Sequence, residues 1–230
     1  ILNILVLWCY FVALSDDEAS ITVIFYQLVP VFALILSYFI LGETITKMQF
    51  IAMSIIIIGT SIISIDVDAD NKFTLRKQTI FLMSAASFFW ALESVLFKMV
   101  ALEENWIRSL FWEHLMLLIV GGLVFIFIRK YRDDFLQALK ENSKPILALN
   151  IGNESLYMVG NIIFAYAYML APVALVLLTQ SFQPLFVIIV GVFLTIFFPK
   201  ITAEKVTLKD LTQKFLAILI TGIGTYLLFI

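Results

Sequence analysis

Residues 19–43 read ASITVIFYQLVPVFALILSYFILGE, and this stretch decides the fold. It holds no Asp, Glu, Lys or Arg before its last residue, Glu43. A helix of about twenty apolar residues crosses a hydrocarbon core roughly 30 Å thick. The stretch therefore predicts a membrane-spanning helix. Pro30 lies inside it and has no backbone N–H to donate, so a break in that helix is expected there.

The same pattern recurs along the whole chain. Of its 230 residues, 62% are hydrophobic and 14% charged, whereas a soluble domain carries about 25% charged residues. The charges collect in short polar separators between long apolar runs, which is typical of a bundle of spanning helices. We predict an all-α integral membrane protein with about eight transmembrane helices, at residues 1–14, 19–41, 48–65, 78–99, 107–128, 145–170, 173–198 and 212–230.

Several classes of function are excluded or disfavoured. The separators are too short for a soluble domain, and no basic block is long enough to indicate a nucleic-acid partner. Cys9 is the single cysteine and His114 the single histidine, so an internal disulfide and a multi-histidine metal site are ruled out. We predict no cofactor and no metal.

The chain also resembles itself at an offset of 154 residues. Residues 13–39 align with 167–193, which brings Pro30 onto Pro184. After an insertion, Gly59-Thr60 aligns with Gly224-Thr225. We interpret residues 1–70 as helices 3–5 of one repeat and residues 71–230 as helices 6–10 of a second. Two further helices are then expected before residue 1. Five helices per repeat give the two copies opposite orientations in the membrane, which is a transporter architecture.

Several short motifs then suggest a family. The first half contains Glu18-Ala19-Ser20 and Leu41-Gly42-Glu43, and the second contains Ala171-Pro172-Val173-Ala174 and Phe182-Gln183-Pro184. Over nearly the whole chain, these resemble the EamA-type branch of the drug/metabolite transporter superfamily. The resemblance implies a ten-helix bundle of two inverted five-helix repeats, a central cavity and alternating access. The second copy departs from it by lacking a match to Gly42-Glu43.

Membrane orientation stays open between two interpretations. The resemblance implies that both termini are cytoplasmic. The Lys and Arg residues are concentrated on the other side, which favours the opposite orientation.

The clearest candidate cavity wall is a polar stripe on the predicted 145–170 helix. Its residues are spaced for one helical face: Asn150, Asn153, Glu154, Tyr157 and Asn161. A polar stripe at membrane depth should line water or bond to neighbouring helices. We expect a cavity wall, and a purely structural hydrogen-bond network is the alternative.

The two proline helices supply further candidates. Tyr26 and Gln27 precede Pro30, and Gln180 and Gln183 precede Pro184. We predict that these four side chains line the substrate cavity and that both prolines are hinges. A static kink, with glutamines that tie helices together, is the alternative.

The acidic residues within apolar spans are candidates for substrate binding or proton coupling. Glu93 is a candidate for both roles, as is Glu154 of the stripe, and Glu113 and His114 are candidates for proton coupling. The alternative for Glu113 and His114 is an interfacial, solvated position. Lys98 is expected to extend its ammonium group to the interface. Gly121, Gly122, Gly160 and Gly191 are expected to permit close helix packing.

Together these features predict a transporter rather than an enzyme. The substrate is expected to be a small organic solute, such as an amino acid, an amine or another metabolite, and proton coupling is left open. No paired-aspartate, H-E-x-x-H or nucleophile-elbow motif occurs. The alternatives are an intramembrane enzyme built on Glu113, His114 and Glu154, and a membrane scaffold. The predicted location is the cell membrane, as a multi-pass protein, with the bilayer and a small-molecule substrate as partners. A homodimer is left open.

Overall fold

The computed structural model describes residues 2–17, 19–44, 46–63, 65–67, 73–197 and 208–228. Its elements, in chain order, are α1 Leu2–Asp16, α2 Ala19–Phe25, α3 Leu28–Leu41, α4 Lys47–Ile63, β1 Ile65–Val67, β2 Phe73–Leu75, α5 Lys77–Glu103, α6 Trp106–Phe127, α7 Arg129–Leu170, α8 Val173–Leu178, a 3-10 turn Thr179–Phe182, α9 Gln183–Phe197 and α10 Leu208–Leu228. Glu18 of the quoted motif and residues 68–72 and 198–207 of two polar separators lie outside the described residues.

The predominantly helical fold class predicted from the sequence is confirmed. Among the described residues, three helices are long and apolar enough to cross a membrane: Ile21–Leu41, Lys77–Glu103 and Trp106–Phe127. The first of these combines α2 and α3. The count of about eight spans and the inverted repeat remain predictions. One separator contains a short antiparallel hairpin, in which Ile65 of β1 pairs with Leu75 of β2.

The stretch Arg129 to Lys144, expected as a polar separator, is instead the first part of the helix α7. Ring contacts join α6 and α7 at two levels, Phe125 to Phe135 at 5.9 Å and Trp106 to Tyr166 at 5.7 Å. Between these contacts α6 rises about 28 Å, whereas a straight α7 would rise about 46 Å. The helix α7 must therefore bend, and Pro145, which lacks an amide hydrogen, is the expected place.

The chain divides into two compact units, residues 1–96 with 172–230, and residues 97–171. The first unit holds a hydrophobic core to which α1, α2, α5 and α10 contribute. Its fully buried members include Ala13, Ile24, Met83, Ala86 and Ala217, each at 0% exposure. This core surrounds the break between α2 and α3, which the sequence predicted from Pro30.

Within the first unit, α4 and α10 cross closely at two glycines. A methyl group on Gly59 would lie 2.6 Å from Thr221 Cγ2 and 2.9 Å from the Thr221 backbone nitrogen. One on Gly224 would lie 2.8 Å from Ile56 Cγ1 and 3.0 Å from the Ala52 carbonyl oxygen. These are the two glycines that the proposed repeat aligns. Glycine is required at both because the facing atoms include backbone that cannot yield.

The Leu41-Gly42-Glu43 motif ends α3 for a conformational reason. Gly42 has φ 69°, a left-handed conformation that glycine adopts without a Cβ penalty. The amide groups of Gly42 and Glu43 both donate to the Ser37 carbonyl. The next helix starts with a capping box, because Thr46 N–H donates to Gln49 Oε1 at 2.8 Å and Gln49 N–H to Thr46 Oγ1 at 3.2 Å.

Candidate functional site

The first membrane-spanning run is interrupted at Tyr26 and Gln27, between α2 and α3. Pro30 cannot donate to the Tyr26 carbonyl four residues earlier. The Val29 amide donates to that carbonyl instead, at 3.0 Å. The amides of Tyr26 and Gln27 likewise donate three residues back, at 3.2 and 3.1 Å. The backbone therefore tightens into a turn just before the proline, as the sequence predicted.

This turn releases a carbonyl, and a neighbouring helix satisfies it. In an unbroken helix the Val29 amide would donate to Phe25. Here the Val29 amide donates to the Tyr26 carbonyl instead. The Phe25 carbonyl accepts a hydrogen bond from Ser87 Oγ of α5, at 3.1 Å. Ser87 is fully buried and Phe25 is 1% exposed. A buried carbonyl without a partner is costly, so this bond holds the broken backbone against α5.

The side chains at the break are buried among aromatic and polar groups. Gln27 is 3% exposed, and the Thr225 hydroxyl of α10 lies 3.4 Å from its Oε1. The Tyr26 ring meets Trp90 of α5 edge-on, with centroids 5.0 Å apart, and Tyr10 of α1 at 5.7 Å. Three helices, α1, α5 and α10, thus contact this dipeptide.

Glu93 lies on α5 one turn beyond Trp90 and is partly buried. Residues three apart share a helical face, so Glu93 and Trp90 lie on the same side of α5. The structure thus places one predicted coupling residue on the helix that packs against the break. Glu93 also has an interaction of its own within the described chain.

The second proline helix breaks in the same way but in different surroundings. The α8 helix gives way to the 3-10 turn Thr179–Phe182, and Pro184 is the second residue of α9. The Gln183 amide donates to the Gln180 carbonyl, three residues back. Gln183 is exposed and Gln180 partly buried.

The polar stripe of α7 is not enclosed by the described part of its own unit. Asn150, Asn153, Glu154 and Tyr157 are exposed, and Asn161 is partly buried. The apolar residues around them, such as Leu149 and Leu156, are exposed as well. The stripe therefore remains a prediction as a cavity wall.

Glu113 and His114 are partly buried on α6. His114 Nδ1 lies 2.9 Å from the Leu110 carbonyl, so Nδ1 carries the hydrogen in that contact. The other ring nitrogen, Nε2, is buried and has no hydrogen-bond partner among the described residues. This leaves a lone pair inside the second unit that can accept a proton.

The predicted residues therefore separate into two groups. Tyr26 and Gln27 lie at the first break, Glu93 lies on the neighbouring α5, and Gln180 and Gln183 lie at the second break, all within the first unit. The α7 stripe, Glu113 and His114 belong to the second unit.

Sequence reasoning missed Ser87, Trp90 and Thr225 as neighbours of the break. A small hydroxyl within a long apolar helix is the one signal that could have pointed to Ser87, because such groups bond to backbone carbonyls in membranes.

Comparison with known proteins agrees with the first half of this description. Residues 1–65, which include α1 to α4 and the first break, match the family model of the EamA-like transporter family. No curated protein and no solved structure matches the chain. The resemblance found from the sequence motifs is thereby confirmed over residues 1–65, where the chain is similar to the EamA-like transporter family.

Proposed function

We propose that this chain moves a small organic solute across a membrane by alternating access, with the solute bound beside the helix break at Tyr26 and Gln27. The observation that carries the proposal is the break itself. Interrupted helices near the midplane are where transporters of inverted-repeat architecture bind substrates. The family match supports transport as the general activity.

The surroundings of the break favour a solute with an amino group and an apolar body. Tyr10, Tyr26 and Trp90 offer aromatic faces, which attract cations. Gln27 offers both a donor and an acceptor, and Glu93 a carboxylate on the same side of α5 as Trp90. An amine or an amino acid fits this set better than a sugar phosphate, which needs basic side chains.

The test is counterflow in proteoliposomes that contain the full-length protein, with amines, amino acids, sugars and nucleotides as substrates. We expect exchange of an amine or amino acid, reduced at least about tenfold by Trp90→Leu and by Glu93→Gln. Glu103→Gln, at the exposed end of the same helix, is the matched control and should exchange normally. Normal exchange by both site variants would disprove the site.

We also propose that a proton gradient drives the transport. His114 supports this, because its buried Nε2 is an open proton acceptor next to Glu113. Uptake driven by a pH gradient should fall in Glu93→Gln, Glu113→Gln, His114→Gln or Glu154→Gln, while Glu104→Gln, which is exposed between α5 and α6, leaves it intact. Unchanged uptake in all four variants would rule out proton coupling through these residues.

A further inference from the structure

Two polar side-chain atoms of α6 are buried without a hydrogen-bond partner among the described residues. One is Nε2 of His114, and the other is the hydroxyl oxygen of Ser109, five residues earlier. A serine in a helix can donate to the carbonyl one turn back, as Ser155 of α7 does to Ile151 at 2.7 Å. Because the Ser109 hydroxyl makes no such bond within the described chain, it can bond to a further group.

Both atoms belong to residues beside Glu113 on the covered part of α6. Ser109 and Glu113 are one turn apart and therefore share a face of the helix. The His114 ring is held against the preceding turn, because its Nδ1 lies 2.9 Å from the Leu110 carbonyl. These three side chains are partly buried, whereas Trp112 is 55% exposed. A hydroxyl, a carboxyl group and an imidazole nitrogen are thus placed along one turn of α6.

Helix α7 brings polar side chains to the same level of the second unit. The ring contact between Trp106 and Tyr166 sets the register of α6 against α7. Counted from that contact, Tyr157 and Asn161 fall within about 3 Å of the level of Glu113. This level of the unit is therefore polar on both helices, although apolar residues dominate α6.

The other titratable and charged side chains around this level are exposed or engaged elsewhere. The Lys98 ammonium, expected to extend toward the interface, donates to the Ala171 carbonyl at the end of α7, at 2.9 Å. The exposed groups on the three helix segments of this unit are Glu103 at the end of α5, Arg108 of α6, and Glu154, Tyr157 and Tyr166 of α7. Glu113 and His114 are thus the partly buried titratable pair at this level.

We propose that Ser109, Glu113 and His114 hold one water molecule between them, and that Ser109 is a positioning residue of the proton path. This inference deepens the proposed proton coupling and rests on it. A buried water makes about three hydrogen bonds to groups that otherwise lack partners, and these three side chains supply them. The protonated Glu113 carboxyl group gives its proton to the water, while the water gives one of its own to His114 Nε2. A carboxylate, a water and an imidazolium result, and Ser109 keeps its proton and fixes the position of the water.

Two transport rates of the full-length protein in proteoliposomes separate this role from a structural one. Ser109→Ala should slow uptake driven by a pH gradient about tenfold, since the water loses one hydrogen bond, and should leave counterflow at equal pH unchanged. Ser109→Thr keeps the hydroxyl and should restore the driven uptake. Ser155→Ala, which removes an exposed hydroxyl of α7, is the matched control and should change neither rate.

A spectroscopic measurement tests the site without transport. In full-length protein labelled with ¹⁵N-histidine, with His114 as the only histidine, the Nε2 resonance reports the group bonded to it. Ser109→Ala should shift that resonance, and Ser155→Ala should not.

An equal loss of both rates in Ser109→Ala would mean a structural role and would overturn the proposal. So would an Nε2 resonance that Ser109→Ala leaves in place. Driven uptake by the wild type that Ser109→Ala does not slow keeps the proposed coupling and removes only the part of Ser109. Wild-type counterflow without any driven uptake removes the coupling itself, and this proposal with it.

Discussion

The two proline breaks have similar backbones and different neighbours. At the first, Phe25 and Gln27 are buried, and Ser87 donates to the released Phe25 carbonyl. At the second, Gln183 is exposed and Gln180 only partly buried. A proline motif thus specifies a break in both places. The helices packed around it decide whether the break is fixed or free to change shape.

From this difference we propose that the two breaks have different parts in transport. A break held by α5 and α10 keeps its polar groups in one geometry and suits substrate recognition. We propose that the second break, whose Gln183 is exposed, costs less to rearrange and is the hinge of a moving helix. The predictions that follow run from the largest expected effect to the smallest.

The largest effect is expected at Gly224, which lets α10 approach α4 and bring Thr225 to the first break. Gly224→Ala should lower the free energy of unfolding by about 1–3 kcal/mol, because the new methyl group would overlap Ile56 and the Ala52 carbonyl. Thermal unfolding in detergent measures this. Gly222→Ala, on the same helix with open space around it, is the control. Equal destabilisation by the two changes would refute the close crossing.

Ser87→Ala should lower the free energy of unfolding by about 1–2 kcal/mol, because the buried Phe25 carbonyl would lose the hydrogen bond from Ser87. The comparable change at the second break, Thr179→Ala, removes a local bond from an exposed hydroxyl to Val176. It should stay within about 0.5 kcal/mol. Thermal unfolding in detergent measures both changes. A larger loss of unfolding free energy for Thr179→Ala than for Ser87→Ala would contradict the comparison.

Pro184→Ala should slow counterflow about fivefold, because the regained amide can close a helical bond of about 1 kcal/mol across the hinge. Pro30→Ala should slow it less. At that site, Ser87 of α5 donates to the neighbouring Phe25 carbonyl and keeps the break in place. Initial rates at equal protein density measure the contrast, and a stronger effect of Pro30→Ala would contradict it.

The smallest effect is expected for the pair Gln27 and Thr225, whose side-chain oxygens are 3.4 Å apart. A double-mutant cycle of Gln27→Ala and Thr225→Val should give a coupling of about 0.6 kcal/mol, the usual strength of such bonds between membrane helices. Gln183→Ala, which changes the exposed glutamine of the second break, should show no coupling to Thr225. A similar coupling there would mean that the second break is also fixed.

Hydrophobic runs were sufficient to predict the helices, and Pro30 and Pro184 the breaks, because length, apolarity and a missing amide act locally. The helical start of α7 was missed because its charged residues indicated a separator. Yet Arg, Lys, Gln, Leu and Ala are good helix formers, and they dominate that stretch.

Glycine contacts could not be foreseen from the sequence either. Gly121, Gly122 and Gly160 were expected at close packing sites, but nothing described lies within 4 Å of their added methyl groups. Gly59 and Gly224 occupy such sites. Apolar residues surround the glycines of α6 on every face, so the sequence does not show which face meets a neighbour. The contact of Ser87 could not be predicted either, because its partner, the Phe25 carbonyl, lies 62 residues away in the sequence.

Amide hydrogen exchange of the full-length protein in nanodiscs tests the fixed and free breaks most directly. Peptides that cover residues 22–30 and 176–186 are compared under identical conditions. The account predicts slower exchange for the amides of Tyr26 and Gln27 than for those of the 3-10 turn Thr179–Phe182, and selective acceleration of the first set in Ser87→Ala. Equal exchange at the two breaks, with no response to Ser87→Ala, would contradict it.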